Sequence, residues 1–173
     1  TYIKWQPINK DGIIYYGQDL AIEHFIKTYG IETTWIAFMD LDEFLFSQSD
    51  LNIVDYLKNL DHNITSLKLT QKKFIDRFLS DKKLITQDFK CIDFNPGTEW
   101  APKYIIKTAN YISVPNPHIH DIKTDGKNSV VDRKLFRFNH YNVSNVLLNW
   151  MKSFYKKEFK LDSIDNGMEK FKE

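Results

Sequence analysis

The feature that most constrains the fold is a short apolar run followed at once by acidic residues. Residues 35–39 read WIAFM, and Asp40, Asp42 and Glu43 come directly after them. A run this short does not make a helix, and continuous apolar character is typical of a strand buried on both faces. We therefore expect residues 35–39 to form a central strand whose end carries a ligand-binding edge.

Helical patterns on both sides of this strand indicate an α/β fold. Apolar residues recur at helical spacing over residues 18–29, where Gly30 offers a stop, and over residues 50–60, where Ser49 is a candidate N-cap. Alternating helices and strands predict a partly parallel, mixed sheet flanked by helices. Further strands are expected at residues 64–69, 103–107, 111–114 and 134–138, and a last helix at residues 144–159.

Length and composition fit one globular domain with a core of its own. The chain has 173 residues, of which 42% are hydrophobic and 27% are charged. We expect the domain to cover residues 1–160 and a charged tail to cover residues 161–173. A net charge of +1 provides no general attraction for nucleic acid, so no nucleic-acid partner is expected.

Cysteine content and hydropathy bear on location. Cys91 is the single cysteine, which excludes an intrachain disulfide and favours a reducing compartment. No apolar stretch is long enough to span a bilayer, so no transmembrane segment is expected. We expect a cytoplasmic protein, with a peripheral position at the membrane as the open alternative.

Asp40 and Asp42 form a candidate site for a divalent cation. Two carboxylates at this spacing after a strand can share Mg²⁺ or Mn²⁺, with the other coordination positions taken by a diphosphate. Acidic pairs of this kind also occur as solvated turns. The residues alone leave both interpretations open.

Four sequence blocks together carry a family resemblance. Residues 35–45 read WIAFMDLDEFL, and Gln18 and Ala21 lie on the preceding predicted helix. Residues 103–106 read KYII and are followed by His120, and residues 138–141 read FNHY, with Ser144 and Lys152 after them. In this order the blocks resemble those of glycosyltransferase family 92 and its bacterial family 2 relatives.

The resemblance implies a GT-A type fold that binds a nucleotide-sugar donor and a divalent metal. The implied reaction is sugar transfer, with inversion, to a hydroxyl group of a glycan or another acceptor. Asp40 would face the ribose or the metal, and Asp42 would be a metal ligand. His140 would be the third ligand, with His120 as the alternative.

The remaining site assignments come from the same resemblance and from placement in the chain. Lys103 would contact the diphosphate, and Gln18 belongs to the donor-binding residues. Glu43 would support the metal ligands or the acceptor. A carboxylate is expected as the general base, for which Glu99 and Asp76 are the candidates.

The resemblance also predicts an incomplete domain. A GT-A fold has further βα units before the metal strand, whereas only residues 1–34 precede it here. We expect an incomplete Rossmann-like domain that lacks its first nucleotide-binding strand and loop. Such a chain would bind nucleotide poorly when isolated and would self-associate through its open sheet flank.

Two other classes of function remain as alternatives. An apolar strand ending in Asp-x-Asp also occurs in haloacid-dehalogenase-like phosphatases, with Asp40 as nucleophile and Asp42 as acid and base. Those proteins have Thr or Val where this chain has Phe44. The other alternative is a carbohydrate-binding or interaction module without catalytic activity.

Overall fold

A computed structural model describes residues 8–13, 17–75, 90–91, 101–115 and 120–142, which belong to two compact units. The first unit is built from residues 1–38, 59–68 and 101–130, and the second from residues 39–58, 69–100 and 131–173. The described helices are α1 (Gln18–Tyr29) and α2 (Ile53–Lys58). The described strands are β1 (Trp35–Ala37), β2 (Glu43–Ser47), β3 (Ile64–Leu69), β4 (Gln71–Ile75), β5 (Lys90–Cys91), β6 (Lys103–Lys107), β7 (Tyr111–Ser113), β8 (Lys123–Thr124), β9 (Lys127–Val130) and β10 (Phe136–Asn142).

The first unit packs helix α1 against a mixed sheet. The strand order is β1-β6-β3-β9, with β1 antiparallel to β6 and β9 parallel to β3. Strands β7 and β8 form a separate antiparallel pair. Ile22 and Ile26 of α1 join Ile36, Phe38 and Ile106 in one buried cluster, so the apolar stripe of the helix covers the sheet.

The apolar run at residues 35–39 is not a central strand among the described strands, which corrects the sequence-based expectation. Strand β1 ends at Ala37 and lies at one end of its sheet order. Ile36 and Phe38 are buried, whereas Ala37 is exposed and the Trp35 ring lies 5.3 Å from the Lys107 ammonium. The run therefore buries one face, and aromatic and small residues occupy the other.

The helix predictions hold for α1 and need correction for α2. Helix α1 has the predicted bounds, although Gly30 adopts right-handed helical angles and continues into a short 3-10 turn. Helix α2 starts at Ile53, and its cap is Asn52, whose Oδ1 accepts from Val54 N at 2.8 Å, rather than Ser49. Asp50 has a left-handed φ of 56°, which a right-handed helix does not allow, so α2 begins after this residue.

The second unit contains a sheet in the order β2-β10-β4-β5. Strand β10 runs antiparallel to β2 and parallel to β4, so this sheet is mixed as well. The α/β class and the mixed strand directions are confirmed, but the described strands form two four-stranded sheets and the β7–β8 pair instead of one sheet. The predicted strand at residues 134–138 starts two residues later, at Phe136, and runs past His140.

Strand β10 is buried on both faces. Phe136 and Phe138 are buried on one face, and Arg137, Asn139 and Tyr141 are buried on the other. The polar groups on the second face bond to each other: Arg137 Nε donates to Asn139 Oδ1 at 2.9 Å, and Asn139 Nδ2 donates to Tyr141 Oη at 3.4 Å. These bonds satisfy groups whose burial would otherwise destabilise the sheet.

Several sequence predictions fall on other parts of the chain. The helix at residues 144–159, the tail at residues 161–173 and the candidate bases Asp76 and Glu99 lie outside the described residues. The extent of the domain therefore stays a prediction. Neither described helix is long and apolar enough to cross a membrane.

Gly126 provides a test of the first unit's packing. It has a φ of +127°, and an added Cβ would lie 2.5 Å from Thr65 Cγ2, next to the irregular start of the β3–β9 pairing. We expect Gly126→Ala to lower the free energy of unfolding by about 2–4 kcal/mol, from backbone strain and overpacking together. Gly12→Ala is the matched control, because Gly12 has a φ of +76° with nothing within 4 Å of the added Cβ.

Urea unfolding of both variants measures the difference. Gly12→Ala should cost only about 1 kcal/mol, the strain of a left-handed residue. Equal losses in the two variants would contradict the close approach of Gly126 to Thr65.

Candidate active site

The acidic residues form a closed turn at the start of β2. Glu43 N donates to Asp40 O at 3.0 Å, and the Glu43 side chain folds back so that Oε2 accepts from Asp40 N at 2.9 Å. Leu41 is completely exposed between them, with a relative accessibility of 103%. The two reciprocal bonds fix the backbone between Asp40 and Glu43, as a capping box fixes the start of a helix.

Strand β10 brings His140 to this turn. His140 is the cross-strand partner of Glu43, and its Nε2 lies 3.3 Å from Asp42 Oδ2. The next residue, Tyr141, donates its backbone N–H to Asp42 O at 2.8 Å. Asp42 is therefore held at its backbone and meets His140 with its side chain.

The other ring nitrogen of His140 faces two further acceptors. Nδ1 lies 3.3 Å from Gln71 Oε1 and 3.6 Å from Glu43 Oε1. The first distance is that of a weak hydrogen bond, and the second is an electrostatic contact. The imidazole is thus surrounded by three oxygen atoms from Asp42, Glu43 and Gln71.

Exposure of the side chains increases towards Asp42. The side chain of Glu43 is 2% exposed, that of His140 is 19% exposed and that of Asp42 is 36% exposed. A buried carboxylate is costly unless it is hydrogen-bonded or paired, and Glu43 meets that condition through Asp40 N and His140. The arrangement leaves Asp42 as the group of the three that is most accessible to a ligand.

Lys73 completes a row of charged and polar residues across the sheet. It is the partner of His140 on β4, so Glu43, His140 and Lys73 lie side by side on three adjacent strands. Burial lowers the pKa of Lys73, and the negative charge of Glu43 raises it in partial compensation.

Asp42 and His140 fit a divalent cation as a pair. Two adjacent ligands of one metal lie roughly 3.0–3.4 Å apart when metal–ligand distances are about 2.1 Å, and the Oδ2–Nε2 separation here is 3.3 Å. Within the described ranges, no three His, Cys, Asp or Glu side chains converge into a metal site. The structure therefore joins two of the three predicted ligands, while Asp40 takes part through its backbone.

Three other predicted site residues lie in the first unit. Gln18 is the first residue of α1, Lys103 lies in β6 with 1% exposure, and half-buried His120 precedes β8. Asp40, Asp42, Glu43 and His140 belong to the second unit. The roles of Gln18, Lys103 and His120 stay predictions.

Sequence reasoning missed Gln71 and Lys73. Gln71 contacts His140, and Lys73 lies opposite it, only because β4 pairs with β10 in a parallel register, across 69 residues of sequence in the case of Gln71. Alternation along β4 places both residues on one face, which is a detectable signal. The partner strand and its register are not encoded in that local pattern.

Comparison with known families gives a match for the chain. The model of glycosyltransferase family 92 matches residues 1–171 of the chain. A comparison with curated proteins finds no match. The matched residues include the turn at Asp40–Glu43 and strands β10 and β4.

Lys73 predicts a pH dependence of stability. Its folded-state pKa lies below the ordinary value of 10.5, so between these two values the unfolded chain binds more protons than the folded chain. The free energy of unfolding contributed by this group therefore rises as the pH increases towards 10.5. Lys73→Met removes this rise, so wild type gains stability relative to the variant over that pH window.

Urea unfolding at a series of pH values measures this difference. Lys72→Met, on the opposite face of β4, is the matched control for loss of one lysine charge. The same pH-dependent difference in both variants would contradict a specific effect of Lys73.

Proposed function

Because the chain belongs to glycosyltransferase family 92, we propose that it transfers a sugar from a nucleotide-sugar donor to a hydroxyl group of a glycan or another acceptor. Family membership supports glycosyltransferase activity in general. The observation that carries the finer proposal is the pairing of Asp42 with His140 at 3.3 Å beside a turn closed by Glu43. The family assignment favours a transferase over the phosphatase alternative.

Asp42 and His140 would hold the divalent metal, Mn²⁺ or Mg²⁺. When bound, such a cation supplies positive charge that offsets the charge developing on a diphosphate leaving group. A carboxylate and an imidazole suit Mn²⁺, and Asp42 also suits Mg²⁺, which is held by one or two carboxylates and substrate phosphates. The partial exposure of Asp42 leaves room for those phosphate oxygens.

The chain's own residues bind and orient the reactants in this proposal. Glu43 keeps the backbone of Asp40 in a fixed turn. In this proposal Asp40 would face the donor ribose or the metal, with its backbone already ordered. Lys103 and Gln18 remain the proposed contacts to the donor.

The proposed reaction is a direct displacement with inversion. A carboxylate, proposed as Asp76 or Glu99, accepts the proton of the acceptor hydroxyl group. The oxygen of that hydroxyl group bonds to the anomeric carbon at the same time. The bond to the nucleoside diphosphate breaks on the opposite side of the ring.

Asp42→Asn tests the proposal. The substitution keeps the shape of the side chain and the backbone carbonyl bonded to Tyr141, but it removes the charge that would bind the cation. We expect sugar transfer in the presence of Mn²⁺ to fall about 100-fold or more, equivalent to about 2.7 kcal/mol. Release of nucleoside diphosphate from a panel of nucleotide sugars, with and without acceptor, provides the measurement.

Asp121→Asn is the matched control, because Asp121 is exposed in the first unit. Thermal unfolding of each variant shows that the fold is retained. Unchanged transfer in Asp42→Asn would refute its role, and absence of transfer by the wild-type chain from every donor would refute the proposed activity.

A further inference from the structure

Both ring nitrogens of His140 face side-chain oxygens: Nε2 faces Asp42, and Nδ1 faces Gln71 and Glu43. Gln71 and Glu43 come from different strands, β4 and β2, and both direct a side-chain oxygen at the same ring nitrogen. We infer that Gln71 and Glu43 are positioning residues that keep the proton of His140 on Nδ1 and present Nε2 to a cation at Asp42. The consequence for the cation rests on the proposed function, whereas the effect of Gln71 and Glu43 on the tautomer ratio does not. Without a cation, Asp42 at 3.3 Å from Nε2 favours the opposite tautomer and competes with them.

Glu43 determines the polarity of this contact. Its carboxylate has no hydrogen to donate, so an Nδ1 lone pair facing Glu43 Oε1 at 3.6 Å would be repelled, whereas an N–H is attracted. The other oxygen, Oε2, is held by Asp40 N at 2.9 Å, which prevents the carboxylate from turning away. Glu43 therefore connects the orientation of the His140 ring with the conformation of the acidic turn.

Gln71 supplies the hydrogen-bond acceptor for that proton. Its Oε1 lies 3.3 Å from Nδ1, and the residue is half-buried at the first position of β4. Gln71 is opposite Phe138 in the register, so its side chain extends two residues along the strand to reach His140. An amide oxygen in this position favours Nδ1–H without adding charge.

The Nε2 side then favours a cation. In the neutral ring with a proton on Nδ1, the Nε2 lone pair points towards Asp42 Oδ2 at 3.3 Å. Two lone pairs at this distance repel each other, and a cation that accepts both removes the repulsion. Partners of a metal-binding histidine generally fix its tautomer in this way, and their removal weakens metal binding by about 10–100-fold.

Nitrogen NMR of histidine-labelled protein tests the tautomer without metal. At a pH where the His140 ring is neutral, shown by the plateau of its titration curve, we expect Gln71→Met to shift the tautomer ratio about five-fold away from Nδ1–H, the effect of one ordinary hydrogen bond. Gln71→Glu retains an acceptor oxygen and adds charge, so it should return the ratio to the wild-type value or further towards Nδ1–H. If Gln71 had a purely structural role, Gln71→Glu would not restore the tautomer ratio of His140.

Binding of Mn²⁺, followed by the electron paramagnetic resonance signal of the free ion, tests the consequence. We expect Gln71→Met to weaken Mn²⁺ binding about ten-fold, and we expect Gln71→Glu to retain it. Lys72→Met on the opposite face of β4 is the control and should bind as wild type.

The two measurements separate the inference from the proposed function. If wild type binds no Mn²⁺ but Gln71→Met still shifts the tautomer, the proposed metal site is wrong and the positioning role stands. If Gln71→Met leaves the tautomer ratio unchanged, the positioning role is overturned whether or not the chain transfers sugar.

Discussion

The Glu43 carboxylate is the interaction on which the candidate site depends. One of its oxygens accepts from Asp40 N at 2.9 Å and the other faces His140 Nδ1 at 3.6 Å. With only 2% of the side chain exposed, its charge needs polar partners, and these two contacts supply part of that stabilisation. The acidic turn and strand β10 are therefore held in one arrangement, and that arrangement brings Asp42 to His140.

Strand β10 gives this arrangement a rigid support. Tyr141 stacks on Phe74 with ring centroids 4.7 Å apart and meets Phe44 edge-on at 5.7 Å, while Arg137 lies over Phe46. These contacts pack the face of β10 opposite His140. Sites built on packed strands hold their geometry better than sites built on loops. His140 meets this requirement, because it lies within β10, which is paired with β2 on one side and β4 on the other.

The sequence predicted elements well where the pattern was local and periodic. Helix α1, β3 and β6 have the predicted bounds, because α1 has apolar residues at helical spacing and the two strands are short segments with apolar residues of their own. The central strand was misassigned, since an apolar run at residues 35–39 looks more buried than FRFNHY in β10, whose polar groups are satisfied by each other. Resemblance predicted Asp42 and His140 as site residues, and the structure places them 3.3 Å apart. Gln71 joins them through strand register, which no local pattern specifies.

The central claim is that Asp42 and His140 bind one divalent cation. Crystals grown with Mn²⁺ and a nucleoside diphosphate, measured at the manganese absorption edge, test this claim directly through the anomalous difference map. We expect a single strong peak within about 2.3 Å of both Asp42 Oδ2 and His140 Nε2. A manganese peak elsewhere, or bound nucleotide with no peak between these two atoms, would contradict the claim.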